Sequence, residues 1–204
     1  MIRRNALKSL AAMAVVPAAA WAQEPGLRLG DQGVPFDAMT VTRRARALAA
    51  QSYTPRPQIP ESWRNLTYDE YRNIWFDNRN ALWQETDAPQ RVDVFPPGLY
   101  FPQAVAINVV EKGAARPLAF DMNVFDTTDQ FPDVEINNAL GYSGLRLRAE
   151  LEKSSIFQEY AVFQGASYFR GIGTGETYGL SARGLALKTG DPMGEEFPDF
   201  TEFW

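Results

Sequence analysis

Apolar and polar residues alternate through most of the chain after residue 90. Arg91 to Phe95 reads Arg-Val-Asp-Val-Phe, the pattern of a half-buried strand. Pro96-Pro97-Gly98 makes a turn, and Leu99 to Phe101 resumes as strand. Ala104 to Val110 and Pro117 to Phe120 predict two more strands around a turn at Glu111-Lys112-Gly113. Gly141 to Leu151 alternates Leu with Arg, a strand wet on one face, and Ser154-Ser155 turns. Asn73 to Asp77 has strand character, and Ala81 to Glu85 continues as strand or turn. Helical spacing is confined to the first third. Phe36 to Gln51 predicts a helix with Asp37 as cap, Phe36 as staple and a stripe of Met39, Ala45, Leu48 and Ala49. A Pro-rich connector (Pro55, Pro57, Pro60) follows, and the capping box Thr67-Tyr68-Asp69-Glu70 starts a second short helix. Two short helices before many short strands predict a mainly all-β fold, an antiparallel β-sandwich.

The stretch with the most chemistry runs from Phe163 to Leu187. It reads as strand, glycine-rich turn and strand, with Tyr160 to Arg170 and Tyr178 to Lys188 as its arms. Period-2 counting puts Ala166, Tyr168 and Arg170 on one face, and Ser181, Arg183, Leu185 and Leu187 on one face of the second arm. Tyr178 falls on the opposite face of that arm. Small residues let a ligand approach closely, while Tyr and Arg supply a flat surface and donors. The candidate substrate-binding residues are therefore Tyr168, Arg170, Tyr178, Ser181 and Arg183. An equally weighted reading pairs the two arginines with tail acids such as Glu195 or Glu196. Gly171, Gly173 and Gly175 miss the dinucleotide spacing, and a strand follows them where a helix would be required, so they belong to a hairpin turn.

Elsewhere structural readings prevail. Arg43, Arg44 and Arg46 form a solvated helix face, and Trp63, Trp75 and Trp83 are read as core before sugar platforms. The loop Phe125 to Asp133, with Asp126, Asp129 and Asp133, lacks the glycine and closing glutamate of a calcium loop. No metal or other cofactor is expected.

Composition narrows the chemistry. The 204 residues are 45% hydrophobic and 22% charged, with 14 Pro and 15 Gly, which suits one turn-rich globular domain. Cysteine and histidine are both absent from the sequence. Cys/His zinc sites, disulfides, thiol nucleophiles and a Ser-His-Asp triad are excluded, leaving Asp, Glu, Tyr and Lys for any proton transfer. Residues 1–22 combine Arg3, Arg4 and Lys8 with an apolar run from Leu10 to Ala20 and an Ala20-Trp21-Ala22 cleavage site. They predict an export signal cleaved after Ala22. Arg3-Arg4 and Leu7-Lys8 fit the twin-arginine type, and Ala6 at the usual aromatic position keeps the general secretory route open. Removing three basic residues and no acidic one takes the formal charge from −5 to −8. So acidic a chain argues against nucleic acid or an anionic membrane as partner and is compatible with a neutral ligand. The expected organisation is a signal over 1–22, a flexible leader over 23–35 and a β-sandwich over 36–204.

The segment GASYFRGIGTGETYGLSARGLAL from Gly165, followed by GEEFPDFTEFW from Gly194, resembles the signature region of the periplasmic glucan biosynthesis G/D family, whose members act on osmoregulated periplasmic glucans. Phe36-Asp37, LTYDEYRNIWF from Leu66 and GYSGLRL from Gly141 extend the resemblance across the mature chain. The signal is similar to the D branch and the GIGTGETYG turn to the G branch, and both stay open. The resemblance implies a periplasmic protein with a galactose-mutarotase-like β-sandwich and a following immunoglobulin-like domain. It implies action on β-1,2-linked glucose backbones, by endo-acting glucanases in some members. Family proteins are about twice as long or longer, with catalytic acids beyond the FPDFTEFW segment. The chain is accordingly expected to be an inactive N-terminal fragment with no catalytic residue of its own. Its expected partners are β-1,2-glucan and other envelope glucan-synthesis proteins. The alternative is a noncatalytic carbohydrate-binding scaffold that presents nascent glucan.

Overall fold

The computed structural model describes residues 26–126, 131–152 and 155–204. The expected signal and its cleavage site, residues 23–25, Asp129 and Ser154 lie outside the described residues. Twelve strands are described: β1 (Arg28–Leu29), β2 (Val34–Pro35), β3 (Trp75–Phe76), β4 (Gln90–Phe95), β5 (Ala106–Glu111), β6 (Ala114–Ala119), β7 (Phe125–Asp126), β8 (Gly144–Ala149), β9 (Gln158–Gln164), β10 (Tyr168–Gly171), β11 (Leu180–Arg183) and β12 (Glu202–Phe203). Three short helices precede most of them: α1 (Thr40–Ala49), α2 (Glu61–Arg64) and α3 (Tyr68–Arg72).

The strands form an antiparallel β-sandwich. One sheet has the order β1-β6-β5-β12, with β2 also on β6; the second has the order β11-β10-β9-β8-β4. β3 and β7 make a separate pair. One pairing is parallel, that of β12 with β5. In the second sheet Val94, Leu145, Phe163, Phe169 and Ala182 stand opposite one another across all five strands. This row faces inward from β4 to β10, and Ala182 on the edge strand is exposed. Val94 is fully buried and Leu145 packs on the same core as Ile107 and Val109 of β5 and Leu118 of β6. Trp63 is fully buried in that core and donates its indole N–H to the Glu135 carbonyl at 2.7 Å. Burying such a ring is favourable only when its N–H finds an acceptor.

Several elements differ from the sequence expectation. The helix over 36–51 is shorter, and its apolar stripe is not buried: Met39 and Leu48 are exposed. Asp37 acts just before the helix, accepting from the Met39 N–H at 2.8 Å and from Arg43 at 2.8 Å. Phe36 stacks on Trp204 instead of stapling the helix. Of the arginine trio, Arg44 binds Glu202 with two donors. The capping box is present as expected, with Thr67 accepting from the Glu70 N–H and Glu70 accepting from the Thr67 N–H. α2 has no counterpart in the sequence reading; Pro60 at its N-cap pre-sets the entry, since its fixed φ and missing N–H suit a helix start. The segment expected as a flexible leader supplies β1 and β2 to the first sheet. Residues 99–101 form a tight return, Gly98 bridging to Phe101, and not a strand. Within the expected Ala81 to Glu85 element, only an isolated bridge from Leu82 to Val92 is ladder-like, and a turn follows. The turn between β5 and β6 has both Lys112 and Gly113 at positive φ, the form that matches hairpin twist. Of the tryptophans, Trp63 is core but Trp75 is 64% exposed.

The largest difference concerns the first hairpin arm. Residues 160–170 are not one strand. β9 ends at Gln164, the chain reverses over 165–167, and β10 pairs back on β9. Gly165 makes this reversal possible. Its φ is +64°, and a Cβ there would meet the Phe101 ring at 3.0 Å.

Candidate functional site

The outward row of the second sheet carries the polar chemistry. Asp93, Arg146, Val162, Arg170 and Ser181 stand opposite one another across β4, β8, β9, β10 and β11. Each alternates with the inward row, as the two-residue period of a strand requires. Two residues along, Tyr168 faces Arg183. The fold therefore brings Tyr168, Arg170, Ser181 and Arg183 onto a single face. Tyr178 is not brought there: it lies before β11, outside the ladder, and is 84% exposed.

Ring and hydrogen-bond contacts fix Arg183, and a glycine makes room for Arg170. The Arg183 guanidinium lies 4.3 Å over the Phe197 ring and 5.6 Å from the Tyr168 ring, and donates to Ser167 Oγ at 3.1 Å. Ser167 in turn donates to the Leu185 carbonyl at 3.2 Å. Arg170 passes over Gly179, where a Cβ would come within 2.6 Å of its Nε. The glycine leaves the space that this side chain crosses. The tail acids are engaged elsewhere: Glu196 pairs with Lys188, and Glu195 accepts from the Gly190 N–H at 2.7 Å. Among the described residues neither pairs with Arg170 or Arg183, so pairing with these tail acids does not describe the two arginines.

Sequence reasoning missed the other half of this face. Asp93 is fully buried and sits between two arginines, 2.7 Å from Arg146 Nε and 2.8 Å from Arg148 Nε. Arg148 Nη2 also donates to it at 2.9 Å, and Arg146 reaches Glu159 at 3.5 Å. The alternation in β4 predicts a half-buried strand, yet Arg91 and Asp93 are buried along with Val92 and Val94, because these partners and the Phe157 ring under Arg91 cover them. Both Asp93 oxygens are engaged, so this carboxylate ties β4 to β8. The signal is present in the sequence, as the Val-Asp-Val and Leu-Arg-Leu-Arg alternations, but only the register shows that they meet.

A hydrogen-bonded ring supports the turn into β10. Tyr71 donates to the Pro96 carbonyl at 2.9 Å, Ser143 donates to the same carbonyl at 2.7 Å, and Gln164 Nε2 reaches both hydroxyls at 3.1 and 3.0 Å. Burial pushes the Tyr71 hydroxyl up to about 12, against the weaker opposing effect of hydrogen bonds from its neighbours. The face as built offers a flat ring, two guanidinium groups, one of them held in place, and a hydroxyl, the groups that engage a polyhydroxylated neutral molecule. Among the described residues no cluster of acidic side chains is arranged to hold a metal, and no helix is long and apolar enough to cross a membrane.

Residues 36–204 match the family model described as "Periplasmic glucan biosynthesis protein, MdoG". The chain is 45% identical over 170 residues to glucans biosynthesis protein G of Vibrio cholerae serotype O1 (strain ATCC 39541), covering 83% of this chain and 31% of that protein. It is 44% identical to glucans biosynthesis protein G of Shewanella sp. (strain W3-18-1), and 43% identical to glucans biosynthesis protein G 1 of Shewanella oneidensis, with the same coverage. The chain thus spans about a third of the length of the curated relatives it matches.

Proposed function

The chain belongs to the family of periplasmic glucan biosynthesis proteins, MdoG, and on that premise we propose that it binds the β-1,2-linked glucose backbone of osmoregulated periplasmic glucans. The observation that carries this reading is the shared face of Tyr168, Arg170, Ser181 and Arg183. Neutral sugars need hydrogen bonds and ring stacking more than net charge. This face supplies both, while the chain's negative formal charge disfavours polyanions. The export signal over residues 1–22, cleaved after Ala22, belongs to the same proposal and would deliver the chain to the periplasm by which the family is named.

Binding and hydrolysis are separable here. The carboxylate buried on the candidate face, Asp93, is held by Arg146 and Arg148, which favours a binding role for this region. The catalytic acids of glucan hydrolysis are proposed to lie outside residues 1–204. A scaffold that presents nascent glucan to envelope partners is the second reading, and the engagement of Asp93 favours it equally.

Calorimetric titration of the 204-residue chain with linear β-1,2-glucan tests the proposal. Arg170→Ala and Arg183→Ala are each expected to weaken binding about tenfold, the scale of a lost charged hydrogen bond. Unchanged affinity in both variants overturns the hairpin as a glucan surface. Release of shorter glucans by the wild-type chain would overturn the binding-only role.

A further inference from the structure

A second polar depression lies at the root of the hairpin, between the Pro-rich connector and the tail. The connector runs along residues 101–104. Ile59 N–H donates to the Pro102 carbonyl at 3.0 Å, Gln103 Nε2 donates to the Arg56 carbonyl at 3.3 Å, and Arg56 Nη1 donates to the Ala104 carbonyl at 3.0 Å. The tail closes the other side, with Asp199 bridging to Ala166 and Phe200 N–H donating to the Gly165 carbonyl. Between them is a notch of about 110 Å³, walled by Arg56, Tyr100, Gln103, Ala166 and Asp199. Arg56 is also a wall of a larger groove of about 680 Å³, which runs against α1 past Tyr53 and Gln51 to Glu202.

Three features give this groove a ligand chemistry. First, Arg56 is held by the Ala104 carbonyl, so its guanidinium is pre-organised, yet Nη2 stands 3.6 Å from Asp199 Oδ2. That separation is an ion pair and too long for a hydrogen bond. A hydroxyl seated over the pair, within hydrogen-bond reach of both, can accept from the guanidinium and donate to the carboxylate, a double role that sugar hydroxyls fill. Second, the two charges cancel, which selects an uncharged polyol over an anion or a cation. Third, Tyr53 in the groove and Tyr100 in the notch, which share Arg56 as a wall, are 86% and 76% exposed, each a flat ring available for stacking. The notch has the scale of one sugar ring and the groove that of several.

We propose that the Tyr53–Arg56–Tyr100 groove is a second saccharide-binding site, taking an uncharged glucose oligomer. The inference rests on the glucan-binding reading of the hairpin and extends it. Ala166, a wall of the notch, stands two residues before Tyr168. On this proposal a long oligomer spans the groove and the hairpin face, while a short one occupies one site only.

The test uses the 204-residue chain and linear β-1,2-gluco-oligosaccharides of short and long length, titrated calorimetrically. The double substitution Tyr53→Ala/Tyr100→Ala, and separately Asp199→Asn, are expected to weaken binding of the long oligomer at least fivefold. Thermal melts of these variants should match wild type, because the altered side chains are exposed. Tyr100→Phe, which keeps the ring, should retain affinity. Wild-type affinity for the long oligomer in both groove variants, with loss in the hairpin variants, overturns the groove and leaves the hairpin standing. Loss in the groove variants with none in the hairpin variants supports the groove and overturns the hairpin. No binding by the wild-type chain overturns both.

Discussion

Asp93 and Arg146 stand directly opposite each other in the β4–β8 ladder, and their side chains close to 2.7 Å on the outer face of the sheet. Arg148, two residues on, completes the contact from the same face. Removing Asp93 leaves two guanidinium groups facing each other without their shared anion. Breaking a buried ion pair by deleting one partner typically costs about 3–5 kcal/mol. Both arginines keep some water contact, so Asp93→Ala is expected to lose about 3 kcal/mol, near the lower end of that range. Denaturant unfolding measures this, and a loss under about 1 kcal/mol, the scale of an exposed pair, would show that the contact is dispensable.

Gly144 begins β8 where the sheet has no room for a side chain. A Cβ there would lie 2.1 Å from the Phe163 carbonyl oxygen and 2.6 Å from the Gln164 Cα, both backbone atoms of the neighbouring strand. Gly144→Ala must push β8 and β9 apart and is expected to cost roughly 3 kcal/mol, the upper range for overpacking. Gly26 is the control: a Cβ placed on it would meet nothing within 4 Å, and Gly26→Ala should melt like wild type.

The Tyr71 hydroxyl carries an alkaline prediction. In the unfolded chain it titrates near 10.0; in the fold burial holds it up to about 12. Between these values the unfolded state has released a proton that the folded state still binds. Stability is therefore undiminished by this group below pH 10 and falls as pH rises towards 12. The loss should reach roughly 2 kcal/mol, following the separation of the two values. Chemical unfolding at stepped pH should show this slope in wild type and a flatter one in Tyr71→Phe. Equal slopes would remove Tyr71 as the cause.

Much of the sandwich is legible in the sequence because β4, β5 and β8 alternate, and alternation is a local property. The capping box at Thr67 is legible for the same reason. What escapes is set by distant partners. The reversal over Gly165, Ala166 and Ser167 leaves the apparent period of Tyr160 to Arg170 intact, since three small residues neither add nor remove a hydrophobic beat. The reversal shows in the pairing of β10 back on β9 and in the positive φ of Gly165, under the Phe101 ring. β1 and β2 are two residues each, too short to carry a pattern, and exist because β6 offers them an edge. The stripe on α1 misleads because a helix stripe predicts burial only where another element arrives to cover it, and α1 has no buried residue.

The site divides the same way. Parity counting within each arm places Tyr168 with Arg170 and Ser181 with Arg183, and the register then joins the two pairs on one face. Tyr178 does not belong to the ladder, because β11 begins only at Leu180. The row from Asp93 to Ser181 spans five strands, and no single stretch of sequence contains it.

The parallel contact of β12 with β5 carries a consequence for biosynthesis. Asn108 of β5 donates to the carbonyl of Phe203, 95 residues later. At translation speeds of about 5–20 residues per second, β5 waits roughly 5–20 s for that partner to be made. Through that interval the first sheet has an unpaired edge, and Phe163, once made, lacks the Phe200 and Phe203 rings that later pack on it. The nascent chain therefore passes through a stage in which both sheets exist without the clasp between them. Whatever protects an open strand edge from other chains matters most in those seconds.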